Sequence, residues 1–234
     1  MTKLSSVAFA CAAVAAALPV TALAEAIDIS ATAEISSLYL YRGENLGGSN
    51  PFVMGGLQAD YNGAYAGINA LSVEGSEYDM YVGYAQNIAE AVTVDLSVWT
   101  YTLPADDDYD TFGRYSEAFL TFTYEMLWFT ATSNLAGDTG MRYYNTGASV
   151  ENFSVGVGVV DADEDQYTYL PGTPVGDVVN DYMHVDLTYA YSDSLKFTLS
   201  QIVDQGKFTL DGQRRDDRRD EDTLFVASYT VPFE

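Results

Sequence analysis

Apolar and polar residues alternate with a period of two along most of this chain, in runs of about ten residues bounded by Gly, Asn, Asp and Pro. Such alternation predicts β-strands with one apolar and one polar face. We read twelve of them, at 27–42, 52–61, 64–73, 78–88, 92–103, 115–125, 127–137, 142–151, 153–163, 182–192, 195–206 and 223–233. In the first, Ile27, Ile29, Ala31, Ala33, Ile35, Tyr39 and Tyr41 share a face opposite Asp28, Thr32, Glu34, Ser36 and Arg42. In the fifth, Val94, Leu96 and Val98 oppose Asp95, Ser97 and Trp99. The connections alternate too. Asn62-Gly63, 89–91, Met126, Asn152 and Asp193-Ser194 are short, whereas 43–51, 74–77, 104–114, 138–141, 164–181 and 207–222 are longer.

A soluble β-barrel or sandwich would alternate in the same way with its apolar face inward, so parity alone leaves both open. Three further features favour a transmembrane antiparallel up-and-down β-barrel of about twelve strands. Aromatics crowd the short-turn ends of the apolar face, at Tyr61, Tyr124, Phe153, Tyr191 and Phe197, as an interfacial girdle requires. The apolar middles are small or aliphatic, as at Ala66, Ile68 and Ala70. The chain ends on an alternating strand with Phe225, Tyr229, Val231 and Phe233 on one face, and Glu234 follows the last aromatic. Tight periplasmic turns and longer surface loops are the rule for such barrels, and with an even strand count both ends lie on the short-turn side.

The first 24 residues predict a cleaved signal peptide: Lys3 precedes an apolar run broken by Pro19, and Ala22-Leu23-Ala24 supplies the cleavage site. The barrel domain is then 25–234. Cleavage would leave 9 basic against 34 acidic residues, a formal charge of −25, and would remove the sole cysteine, Cys11. Such an acidic chain is not expected to bind nucleic acid through its phosphates. With His184 the only histidine, catalysis by thiol or paired-histidine chemistry has little to draw on, and no cofactor is implied.

The stretch "LYLYRGENLGGSN" contains the spacing G-x-x-x-x-G-S from Gly43 to Ser49. A phosphate loop needs a lysine after its last glycine and then a helix. Here Ser49-Asn50-Pro51 leads into another strand. In context the stretch resembles the N-terminal signature of the TorF family of porin-like proteobacterial outer-membrane barrels. Tyr39, Tyr41, Arg42, Gly43, Pro51, Gln58, Tyr61, Gly63, Tyr65, Ala66 and Gly67 carry the match, and Tyr78 to Ala85 resembles the family's next strand. Glu44-Asn45-Leu46 departs from the family's usual turn. The resemblance implies a small outer-membrane channel whose solute is not established.

With polar faces inward, the lumen would hold Asp28, Glu34, Asp60, Asp79, Asp95, Glu117 and Asp186 against Arg42 and Lys196. Charged rings set pore selectivity, so this set predicts passive diffusion of small hydrophilic solutes with cation preference. The pore-lining set is Glu34, Arg42, Asp79, Asp95, Glu117, Asp186 and Lys196, with Tyr65 and Asn69 completing the wall. The same groups could instead form a hydrated, non-conducting plug, and twelve strands lie between filled and open barrels. Arg42 is expected at the mouth, at a constriction or in a structural ion pair, with Tyr39 and Tyr41 as outer-rim aromatics. His184 and Asp186 read as a structural polar pair, since no nucleophile motif accompanies them. Asp106, Asp107, Asp108 and Asp110 lack the spacing of a helix-loop-helix calcium site and read as a solvated loop. The arginine-rich segment 213–222 reads as a solvated or self-paired loop, or else as one that binds lipopolysaccharide phosphate or folds into the mouth and offsets the acidic lumen. Partners expected are outer-membrane lipids and lipopolysaccharide, the barrel assembly machinery, and small solutes or cations. A non-conducting structural or adhesive barrel and a histidine-dependent membrane enzyme are the other classes.

Overall fold

A computed structural model describes residues 27–73, 76–104, 110–137, 140–162, 181–205, 207–210, 213–216 and 222–232. Its strands are β1 (Asp28–Ser36), β2 (Leu40–Tyr41), β3 (Glu44–Asn45), β4 (Phe52–Tyr61), β5 (Ala64–Leu71), β6 (Glu77–Ala89), β7 (Val92–Thr102) and β8 (Tyr115–Tyr124). They continue as β9 (Leu127–Ala136), β10 (Met141–Val150), β11 (Phe153–Ala162), β12 (Tyr182–Ala190), β13 (Leu195–Gln205), β14 (Lys207–Leu210), β15 (Gln213–Asp216) and β16 (Leu224–Thr230). Twelve close into one barrel in the order β1-β16-β13-β12-β11-β10-β9-β8-β7-β6-β5-β4. Every neighbouring pair is antiparallel, and closure leaves the barrel no free sheet edge. The pairs β2-β3 and β14-β15 are small separate hairpins.

The eleven segments predicted after the first each correspond to one barrel strand, with ends agreeing to within three residues. Short turns close the hairpins at one rim. At Asn62-Gly63 both residues have positive φ, 48° and 84°, the two-residue turn whose twist matches that of its strands. A Cβ on Gly63 would press on the Ala85 carbonyl, so glycine is required by contact as well as by conformation.

The first strand needs correction. The alternation of 27–42 suggested one continuous strand, but β1 stops at Ser36. The chain then forms the β2-β3 hairpin around Arg42 and Gly43, whose φ values are 49° and 86°. Two positive φ values in succession make a tight primed turn, which a continuing barrel strand does not contain.

Side chains sort as the alternation requires. Ile29, Leu57, Ile68, Val82, Leu96, Phe129, Leu187 and Phe225 are exposed on the outer face. So extensive an apolar exterior on a closed sheet requires apolar surroundings. At the short-turn rim, Tyr124, Phe153 and Tyr191 are exposed, and Phe153 packs against Tyr189 at 4.9 Å between ring centroids. The inner face divides in two. Toward the short turns it is accessible, with Asp28, Asn87, Thr123, Ser149 and Lys196 exposed. Toward the long loops Glu77, Asp79, Tyr101, Glu117, Asn134, Tyr182 and His184 are buried.

Candidate functional site

What buries the long-loop half of the inner face is the segment joining β1 to β4, which folds inward. The rest of the barrel provides its seat. Arg42, at the tip of the β2-β3 hairpin, places Nη2 2.8 Å from both carboxylate oxygens of Glu117. Glu117 is on β8 and wholly buried, and the Arg42 side chain is 6% exposed. Tyr101 donates its hydroxyl to Glu117 at 3.0 Å, and Tyr41 donates at 3.4 Å. The guanidinium also lies over two aromatic faces, Tyr41 and Tyr143, each 4.7 Å from its carbon to the ring centroid. Burial disfavours the Arg42 charge, but Tyr41 and Glu117 outweigh it and hold the guanidinium pKa above its ordinary value. Nη1 of Arg42 has no hydrogen-bond partner among the described residues.

The same segment is anchored elsewhere. Tyr39 stacks on Phe52 at 4.7 Å and 7°, and Leu46 N–H donates to the Tyr39 carbonyl at 2.9 Å. Tyr182 of β12 donates to Glu44 at 3.3 Å. Gly43 rests on His184, where a Cβ would come within 2.6 Å of the histidine Cβ. Tyr39 and Tyr41 therefore belong to the interior plug and not to the outer rim. Alternation could not separate the two, because a residue inside the mouth and one facing lipid can both be aromatic.

Two sheet irregularities coincide with the seat. The β8-β9 register shifts between Ser116 and Glu117, and the β12-β13 register shifts between Met183 and His184. A bulge re-aims the side chains beside it, and here both lie next to residues that meet the plug. His184 is 1% exposed, with Nε2 3.0 Å from the Tyr143 hydroxyl and Nδ1 3.2 Å from Asp186. It is thus a link between Asp186 and a tyrosine that faces Arg42.

The remaining candidates are spread over the inner face. Glu34 accepts from Ser36 Oγ at 2.8 Å beside the β1-β16 seam. Asp79 is buried near Glu77, and its Oδ1 has no partner among the described residues. Asp95 accepts the Tyr65 hydroxyl on both oxygens, at 2.9 and 2.8 Å. Asp60 accepts Gln58 Nε2 at 3.0 Å on each oxygen. Lys196 is exposed on β13. Glu117 and Arg42 meet each other and so do not present separate charges to a water path. Asp110 lies 3.9 Å from Arg114 at the surface. Asp106, Asp107, Asp108 and Phe233 lie outside the described residues, as do the leader 1–24 and the side chains of 213–221.

Tyr65, read in the sequence as lumen wall, and Trp99, read on a polar face, prove to be members of one aromatic series on the inner face. Tyr65 and Tyr81 are 6.1 Å apart, Tyr81 stacks on Trp99 at 4.1 Å and 17°, and Trp99 lies 6.5 Å from Tyr101. The signal was present in the polar parity, since Tyr65, Tyr81, Trp99 and Tyr101 all share a face with acids.

Solved structures of similar architecture include two porins and an outer membrane protein. NanC porin is 11% identical with a TM-score of 0.49, covering 88% of this chain and all of its own. KdgM porin in complex with disordered oligogalacturonate is 8% identical with a TM-score of 0.48 and the same coverage. The outer membrane protein OprD from Pseudomonas aeruginosa is 13% identical with a TM-score of 0.39, covering 88% of this chain and 65% of its own. No curated protein matches the chain in sequence. The family model that does match covers residues 21–151. The chain belongs to this family, Gcw_chp, described as bacterial protein of unknown function.

Proposed function

We propose that this protein is a bacterial outer-membrane channel for passive diffusion of small hydrophilic solutes, with a preference for cations and a constriction made by its own first loop. The observation that carries the reading is the closed twelve-stranded barrel with an apolar exterior and an acidic inner face, narrowed at one end by the inward segment bearing Arg42. The likeness of residues 36–71 to the TorF signature supports it. In this reading the leader 1–24 directs export, the barrel assembly machinery inserts the chain, and lipopolysaccharide surrounds the long-loop rim. His184 serves the seat of the plug and not catalysis.

A second reading is favoured by the same loop: with Arg42 locked on Glu117, the barrel is a non-conducting structural element. Purified protein in a planar bilayer decides between them. Discrete conductance steps support the channel. Their absence across a range of salts, in protein that retains heat-sensitive barrel mobility on gels, removes it.

A further inference from the structure

We propose that the inner wall formed by β4 to β7 is a binding site for small organic cations of the guanidinium or alkylammonium class. The site consists of the faces of Tyr65, Tyr81 and Trp99 and the carboxylates of Asp60 and Asp95. This names the solute class for the channel proposed above and rests on that reading for its physiological role, but not for binding itself.

Three observations converge. First, the rings form a connected surface that runs from the accessible half of the lumen at Tyr65 to the level of Glu117 at Trp99: Tyr65 to Tyr81 at 6.1 Å, then Tyr81 to Trp99 at 4.1 Å. All three rings are partly exposed, and their polar tips are already occupied. The Tyr65 hydroxyl donates to Asp95, that of Tyr81 to Gln58 at 3.0 Å, and Trp99 Nε1 to Ser97 at 3.2 Å. Tyr81 and Trp99 cover one face of each other, so what the three rings offer a solute is the face of Tyr65 and the outer faces of the stacked pair, which are negative and attract cations.

Second, two acids flank the Tyr65–Tyr81 part of this surface. Asp95 is bonded to Tyr65, and Asp60 is bonded through Gln58 to Tyr81. Each carboxylate oxygen has more than one lone pair, so the bonds described leave acceptor capacity for a solute N–H. Among the described residues the inward bases are elsewhere, Lys196 on β13 and Arg42 on Glu117.

Third, the barrel already binds one organic cation by this chemistry. Arg42 is held by a carboxylate and by two ring faces at 4.7 Å. The same residue types recur at the β4-β7 wall, and among the described residues no Lys or Arg is bonded to them. Trp99, 6.5 Å from Tyr101, links that wall to the Glu117 seat, so one aromatic series spans both.

The test uses the whole barrel in detergent micelles, titrated with argininamide while tryptophan fluorescence is followed. The chain has two tryptophans, Trp99 and Trp128, so a Trp128→Phe background isolates the signal of Trp99. Isothermal titration of the unmodified protein provides the same reading without that substitution. The expected result is a saturable response to argininamide that neither KCl at matched ionic strength nor maltotriose produces. Asp95→Asn should weaken it by about tenfold, the scale of losing one desolvated charge contact. An equal response to maltotriose that Asp95→Asn leaves unchanged would assign the wall to neutral sugars and overturn the proposal. So would the absence of any saturable response by both methods. Binding is read without conduction, so a barrel that binds argininamide and shows no conductance retains this site and loses only the channel.

Discussion

Large inward rings of this barrel tend to sit opposite glycines, and that pairing accounts for residues whose role alternation alone does not explain. Tyr65 pairs with Gly83, Tyr81 with Gly67, Trp128 with Gly147 and His184 with Gly158. A Cβ on any of these glycines would overlap the ring opposite. A ring reaching over a glycine covers backbone that has no side chain of its own, which offsets the usual weakness of glycine in a strand. At Gly147 the overlap would also include the Val155 carbonyl, which belongs to backbone and cannot swing aside. Gly147→Val should therefore destabilise the barrel by about 1–3 kcal/mol, measured as a lower midpoint of guanidinium unfolding in micelles. The Arg42–Glu117 pair gives a second expectation at this scale. Removing one partner leaves a buried charge without compensation, at a cost of about 3–5 kcal/mol less any relief from movement of the loop. Arg42→Met and Glu117→Leu should each lower thermal stability, and the double variant should lose much less than their sum. Additive losses would mean the two charges are not coupled.

The elements show where a sequence is legible and where it is not. Eleven strands could be placed because each has an apolar face and a turn at either end, and both signals are local. Residues 37–51 could not, because their partners are Glu117, Tyr143, Tyr182 and His184, all distant in sequence and reached only once the barrel has closed. The one local clue was Arg42-Gly43 between two short extended runs, which has the form of a tight hairpin turn. Likewise, the acids of the inner face were readable from parity, but the neutralisation of Glu117 was not. The inward segment is held by Tyr39 on Phe52, the Arg42–Glu117 pair, the Arg42 guanidinium on the Tyr143 ring, and tyrosine hydroxyls. Replacing residues 38–49 by a short Gly-Ser turn should leave the barrel folded and raise single-channel conductance several-fold relative to the intact chain. Unchanged conductance would show that the segment is not what narrows the path.

For the whole molecule the question is which acids act on a passing ion. Glu117 is neutralised by Arg42 and Asp79 is buried behind the plug, so neither is the first choice. The inner acids toward the short turns are better placed, because Asp28 is exposed and Asp60 and Asp95 are partly exposed, against Lys196 as the inward base of that half. A low-dielectric wall concentrates their field within the lumen. Screening then sets a salt dependence, since the Debye length falls from about 30 Å at 0.01 M to about 3 Å at 1 M. Reversal potentials in a KCl gradient should indicate cation preference at low salt and lose most of it near 1 M. Neutralising Asp60 and Asp95 together, by Asp→Asn, should reduce the preference at low salt, whereas Glu34→Gln at the seam should change it less. Anion selectivity in the unmodified protein would contradict the electrostatic argument. Cation selectivity that survives the loss of Asp60 and Asp95 would move the controlling field to the plug.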